Sequence, residues 1–203
     1  MRIKSLLALL ILSAFLLACS DSKTAGNGAL TKGVAPIADP EVAVIEMENS
    51  AAFGTITIEL YSNIAPKMVE RFKTLAKEGV YNGTTFHRIN DSVIQGGDPN
   101  SKDSDPNNDG QGRSDKPNVP AELSDLLYDK GIVGAARGTD LNSANSQFFI
   151  TLKREPGFDN RYTIFGKVID GMNNVRTIAD VKNKAMERPV EDIRIKTVTI
   201  RPK

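Results

Sequence analysis

Few residues in this chain have the chemistry of a catalyst. His87 is the only histidine and Cys19 the only cysteine. A lone histidine invites a reading as a general base, yet there is no G-x-S-x-G elbow, no cysteine near it and no metal-ligand spacing around it. His87 therefore reads as structural. One cysteine permits neither an internal disulfide nor a clustered cysteine metal site. Residues 105–110 (Asp105-Pro106-Asn107-Asn108-Asp109-Gly110) match the start of a calcium loop, but Lys116 stands where the twelfth-position acid belongs, and no helix pair flanks it. Residues 99–120, rich in Asp, Asn, Gly, Ser and Pro, read instead as a long surface loop. Neither a metal nor a cofactor is expected.

Four other runs carry more. They are Phe86-His87-Arg88-Ile89, Gln95-Gly96-Gly97-Asp98-Pro99, Asn145-Ser146-Gln147-Phe148-Phe149-Ile150 and Phe165-Gly166-Lys167-Val168. With residues 81–85 (Tyr-Asn-Gly-Thr-Thr) and 131–137 (Gly-Ile-Val-Gly-Ala-Ala-Arg), they stand in the order and spacing of the cyclophilins. From about residue 42 to 201 the chain resembles a bacterial member of that family of peptidyl-prolyl cis/trans isomerases. Each run alone is weakly specific; the four in order are not.

The resemblance implies a catalyst that makes and breaks no covalent bond. Amide resonance opposes rotation with roughly 18–20 kcal/mol. Before proline the two isomers lie close in energy but exchange over tens of seconds or more. A guanidinium donating to the prolyl nitrogen strengthens its hold as resonance is lost, which favours the twisted state. Removing about 6–7 kcal/mol of barrier gives roughly 10⁵-fold acceleration. By the resemblance Arg88 takes that role. Gln95 binds the substrate backbone and orients Arg88, Phe149 floors the proline pocket, and Ala136 and Arg137 pair with the extended substrate. Gln147, Val93 and Phe158 complete the substrate contacts, and Tyr162 stands at the pocket rim, where the family carries His or Tyr.

The chain also departs from the pattern. One residue is missing between Arg88 and Gln95. Counted back from Gln95, Ser92 stands where a large Phe is usual and Val93 where Met is usual. Gly157 occupies the position that holds an indole in cyclosporin-sensitive members, and Phe158 replaces a Leu. Ser92 and the shortened Arg88–Gln95 segment leave open an alternative function, a weakly active or inactive chaperone or binding module for proline-containing segments.

The elements that would position these residues are mostly strands. Ile56, Ile58 and Leu60 alternate with Thr55, Thr57 and Glu59, the period of a half-buried strand, and residues 42–47 form its partner. Residues 132–136, 147–151 and 163–168 are further strands. Ile193, Ile195, Val198 and Ile200 form another, with a slip near Thr197 that suggests a bulge. Met68, Phe72, Leu75 and Ala76 share one face of a helix that Pro66 starts and Gly79 stops, and Met172, Val175, Ile178 and Ala179 mark a second. Many strands, two isolated helices and no βαβ rhythm predict a mainly β fold, a closed antiparallel barrel of about eight strands capped by two helices.

Of 203 residues, 40% are hydrophobic and 25% charged, the composition of a globular protein; the formal net charge of +1 offers no nucleic-acid footprint. Arg2 and Lys4 precede a short apolar run, residues 5–18, which reads as a secretory signal peptide too short to span a bilayer. Its end, Leu16-Leu17-Ala18-Cys19, resembles the lipobox of bacterial lipoproteins. On that resemblance residues 1–18 are removed and Cys19 carries the lipid that anchors the protein in the cell envelope. Ordinary cleavage nearby with a free Cys19, or an uncleaved anchor, is the alternative. Ser20, rather than Asp, follows the cysteine, which points to the periplasmic face of an outer membrane. Residues 19–40 then form a lipidated, flexible tether, and residues 41–203 the catalytic domain. The expected partners are proline-containing, partly folded polypeptides, and the expected state is a monomer.

Overall fold

The computed structural model describes residues 30–181 and 187–203. The expected signal peptide, Cys19 and the first half of the expected tether lie outside the described residues. Among the described residues, no helix is long and apolar enough to cross a membrane.

Alternating hydrophobicity produces one eight-stranded antiparallel sheet. Its strands are β1 (Glu41–Met47), β2 (Thr55–Leu60), β3 (Arg88–Ile89), β4 (Val93–Gly96), β5 (Ile132–Ala135), β6 (Phe148–Thr151), β7 (Ile164–Asp170) and β8 (Ile195–Pro202), in the order β3-β4-β6-β5-β7-β2-β1-β8. The expected closed barrel is corrected here. The sheet curls into a half-barrel, and its outer strands β3 and β8 share no ladder. Beside them an isolated bridge joins Thr85 to Arg194, supported by bonds from Ile195 N–H to the Thr84 carbonyl (2.7 Å) and from Phe86 N–H to the Ile193 carbonyl (2.9 Å). β3 is only two residues long, too short to extend that bridge into a ladder. The bulge expected near Thr197 is present: Glu46 faces Thr197, and its neighbour Met47 already faces Ile195.

Among the described residues three α-helices accompany the sheet rather than two. The additional one, α1 (Ser50–Phe53), is a single turn capped by the Asn49 side chain and has no apolar repeat by which to be found. α2 (Pro66–Lys77) buries Met68, Val69, Phe72, Leu75 and Ala76; α3 (Met172–Ala179) buries Val175 and Ile178. Gly79, at φ +70°, follows α2 in the left-handed region that terminates helices.

Successive residues of a strand point to opposite faces, and here each face has its own core. Phe148, Ile94 and Val133 join the main core beneath α2, with Ile45, Ile58, Phe72 and Phe165. Their chain neighbours Phe149, Val93 and Ile132 enter a smaller core with Tyr61, Ile64, Tyr128 and Ile164. The strands thus support the main core on one face and a small aromatic platform on the other.

Residues 30–40, expected to be tether, run along this body. Thr31 bridges to Ser124, the Asn63 side chain joins Ile37 N–H and the Ala35 carbonyl, and Asp39 binds Ser62 and pairs with Lys73 at 2.6 Å. Ser, Gly and Pro composition concealed this docking because it is made by polar side-chain and backbone groups rather than by apolar burial.

The start of α2 depends on a distant residue. Its N-cap, Ala65, has no side chain to accept from the first turn, and the Glu122 carboxylate does so instead, taking Lys67 N–H at 3.1 Å and Met68 N–H at 2.9 Å. Replacing Glu122 with Ala is expected to lower unfolding free energy by about 1–2 kcal/mol, the cost of a lost cap. Chemical denaturation checks this, with the activity of the folded fraction unchanged.

Candidate active site

A row of paired backbone positions crosses four strands. Arg88 on β3 faces Gln95 on β4, Gln95 faces Phe149 on β6, and Phe149 faces Gly134 on β5. The missing residue between Arg88 and Gln95 is absorbed in a tight turn: the Asn90 side-chain oxygen accepts from Ser92 N–H and Val93 N–H, both at 2.9 Å. Ser92 sits in that turn, donating from its hydroxyl to Glu155 at 2.7 Å, and is not a pocket wall. Val93, one position on, is.

Phe149 forms the platform. It stacks on Tyr128 with ring centroids 5.6 Å apart and meets Phe158 and Tyr162 edge-on at 5.5 and 5.6 Å. A Cβ on Gly134 would strike the Phe149 ring and the Tyr128 hydroxyl, so only glycine lets the ring lie against the sheet. Over it opens a hollow of about 110 Å³ lined by Arg88, Val93, Gln95, Ala136, Arg137, Phe149, Phe158 and Tyr162. These are all but one of the catalytic and substrate-binding residues expected from the sequence.

The remaining one, Gln147, lines an adjoining hollow of about 300 Å³ that shares Gln95, Ala136 and Arg137 with the first. Gly110, Gln111, Gly112 and Arg113 also line it. Sequence reasoning missed this part of loop 99–120, because composition marks a loop without saying where it packs. Gly157 lies in the short 3₁₀ turn Pro156–Phe158 with open space where a side chain would begin.

Polar groups are linked in series. Arg88 donates from Nη1 to Gln95 Oε1 at 3.3 Å and from Nε to Glu187 Oε2 at 2.7 Å. Gln95 donates to Gln147 Oε1 at 3.0 Å, and Gln147 donates to the carbonyls of Gly110 and Gly112 at 3.0 and 2.9 Å. The arginine is thus oriented through two amides by the loop backbone. Arg137 lies 4.8 Å over the Tyr162 ring and donates to the carbonyls of Gly138 and Arg161 at 2.8 and 2.9 Å. No motif marks Glu187, which is 99 positions from Arg88 in the chain. The arrangement can hold a small apolar ring over Phe149 and present a fixed guanidinium to atoms beside it.

Comparison with known proteins agrees with this geometry. The family model "Cyclophilin type peptidyl-prolyl cis-trans isomerase/CLD" matches residues 44–200. A probable peptidyl-prolyl cis-trans isomerase of Brucella suis is 39% identical over 163 residues, covering 76% of this chain and 82% of the relative. A peptidyl-prolyl cis-trans isomerase of Schizosaccharomyces pombe is 37% identical over 161 residues, covering 76% of this chain and 96% of its own. Among solved structures, a cyclophilin-type isomerase of Cryptosporidium parvum, determined in the presence of the dipeptide Ala-Pro, superposes with a TM-score of 0.71 at 30% identity, covering 80% of this chain and 99% of that one.

His87 adjoins the arginine but faces inward, 6% exposed. Burial holds its imidazole below the ordinary value of 6.5; the Asp98 carboxylate opposes that shift, and the charges of Arg188 and Arg88 add to it. The folded value is therefore depressed relative to the unfolded one. As pH falls below 6.5, unfolded chain takes up a proton that the folded chain refuses, and stability is lost. Melting temperature is expected to fall between pH about 7.5 and about 5, and to fall less in His87→Gln. Thermal melts of both proteins across that range test this, and equal slopes would exclude His87 as the source.

Proposed function

The chain belongs to the cyclophilin-type peptidyl-prolyl cis-trans isomerases and carries their activity, and from that premise we propose that catalysis is non-covalent, with Arg88 donating to the prolyl nitrogen. The observation that carries this reading is Arg88 at the edge of the Phe149 hollow, tied at Nε and Nη1 by Glu187 and Gln95. A guanidinium already held in place does not reorganise as charge shifts onto the amide nitrogen, so its donation favours the twisted state over either planar isomer. The hollow holds the volume of only a few waters, which suits one small ring. Phe149 receives the proline ring. Ala136, Arg137 and Gln147 run alongside as contacts for the extended chain, and Phe158, Tyr162 and Val93 close the sides.

The weakly active binding module is less well supported. Its motive was Ser92 and the shortened Arg88–Gln95 segment, and the Asn90 turn accommodates both while keeping Gln95 opposite Arg88.

The substrates we infer are proline-containing segments of exported envelope proteins, met outside the cytoplasm. Support comes from the signal-like residues 1–18 and from Leu16-Leu17-Ala18-Cys19. On this reading Cys19 is lipidated and anchors a monomer at the periplasmic face of the outer membrane; a residue bearing several acyl chains anchors stably where one chain does not.

Arg88→Ala is expected to lower kcat/KM on an Ala-Pro peptide by about 2–4 kcal/mol of transition-state stabilisation, with little change in melting temperature. Arg88→Lys should rescue poorly, because an ammonium lacks the planar fork. Phe149→Ala should weaken binding and stability together, since it opens the aromatic platform. A protease-coupled peptide assay beside thermal melts checks all three, and near-wild-type activity of Arg88→Ala would overturn the mechanism.

The anchor has its own test. In cells fed a labelled fatty acid, wild-type protein should take up label and fractionate with membranes, and Cys19→Ser should do neither. Unlabelled, freely soluble wild-type protein would end the lipoprotein reading.

A further inference from the structure

Glu187, beyond α3 in the chain, meets the arginine at the site. Glu187 Oε2 accepts from Arg88 Nε at 2.7 Å and from Asn90 Nδ2 at 3.0 Å. It thereby ties the guanidinium to the turn that joins β3 to β4. We propose that Glu187 is a positioning residue for Arg88, an inference that rests on Arg88 being the catalytic donor.

Three observations carry it. The first is division of labour on the arginine. Gln95 takes a terminal nitrogen and Glu187 takes Nε, so the two hold the guanidinium plane from different edges. Gln95 alone would leave the plane free to swing about a single hydrogen bond.

The second is the backbone. Glu187 is one of only two non-glycine residues with positive φ among the described residues, at +62°. A left-handed glutamate is strained and persists where its surroundings over-determine it, most often at functional sites.

The third observation is what holds that backbone. The next residue, Arg188, pairs with Asp109 of loop 99–120 and with Asp192 at 2.8 Å. The same loop fixes Gln147, and through it Gln95, by the carbonyls of Gly110 and Gly112. Both supports of the arginine are therefore referred to one loop, which gives that surface loop a task in the site.

The stability and positioning roles can be separated. The Arg88 and Glu187 side chains are 45% and 42% exposed, so an ion pair there contributes little to folding. Its effect lies in orientation, and orientation shows in turnover rather than affinity.

The test uses Glu187→Ala and Glu187→Gln in the purified protein, measuring kcat and KM separately on an Ala-Pro peptide. Expected is a fall in kcat of roughly 3- to 10-fold for Glu187→Ala, smaller for Glu187→Gln, with KM and melting temperature unchanged. In ¹⁵N spectra the Arg88 Nε–H signal, shifted by the carboxylate in wild type, should move in Glu187→Ala. In an Arg88→Ala background, Glu187→Ala should cost nothing further. Wild-type kcat in Glu187→Ala while Arg88→Ala is impaired would overturn this proposal and leave the mechanism standing. A change confined to KM would make Glu187 a substrate contact and overturn it too. Full activity in Arg88→Ala would remove the mechanism on which it depends.

Discussion

Everything in the site hangs on one transverse row of the sheet. Arg88, Gln95, Phe149 and Gly134 are cross-strand partners in sequence, so their relative positions are fixed by backbone ladders rather than by side-chain packing. A one-residue slip of register in any of these short strands would turn its site residue to the other face. The main core prevents the slip. Phe148, Ile94 and Val133 alternate with Phe149, Val93 and Ile132, and burying the first set beneath α2 forces the second set outward. The apolar core thus aims the polar site.

The two faces make different demands on the amino acids. On the core face volume must be filled, and branched and aromatic residues do so. On the site face an aromatic ring must lie against the backbone with space above it, so β5 places Gly134 beneath Phe149. Around the ring, directional bonds replace packing: Gln95 on Gln147, Gln147 on two loop carbonyls, Arg137 on two more. These bonds join groups from β4, the flanks of β5 and β6 and loop 99–120, and so tie the site face of the sheet to the loop.

Legibility of the fold in the sequence followed interaction range. Strands with a clean two-residue period, such as β2, and the helix with four apolar positions on one face were readable from pattern, as was the slip at Thr197 in β8. β3 and β4 were not readable as strands: two and four residues hold too few periods, and their motif spoke for chemistry instead. α1 had no apolar repeat. Closure of the barrel was overestimated because composition reports how many strands exist and not whether the last two meet. Within the site, the substrate-contact residues named from family motifs, all but Gln147, line one hollow, whereas Glu187 and the glycines of loop 99–120 were silent. Their contributions are a carboxylate placed by tertiary structure and two backbone carbonyls, and neither leaves a signature in residue type.

The pairing of β1 with β8 has a consequence of another kind. These strands are the first and last of the domain, and they form its most extensive ladder, from Glu41 opposite Pro202 to Met47 opposite Ile195. Loop closure across nearly the whole domain must precede that ladder, and such non-local topologies fold slowly. A chain still emerging from the ribosome would hold β1 with one edge bare until β8, its neighbour on that side, has followed. This prolyl isomerase therefore completes its own sheet only once the last strand of its domain has been made.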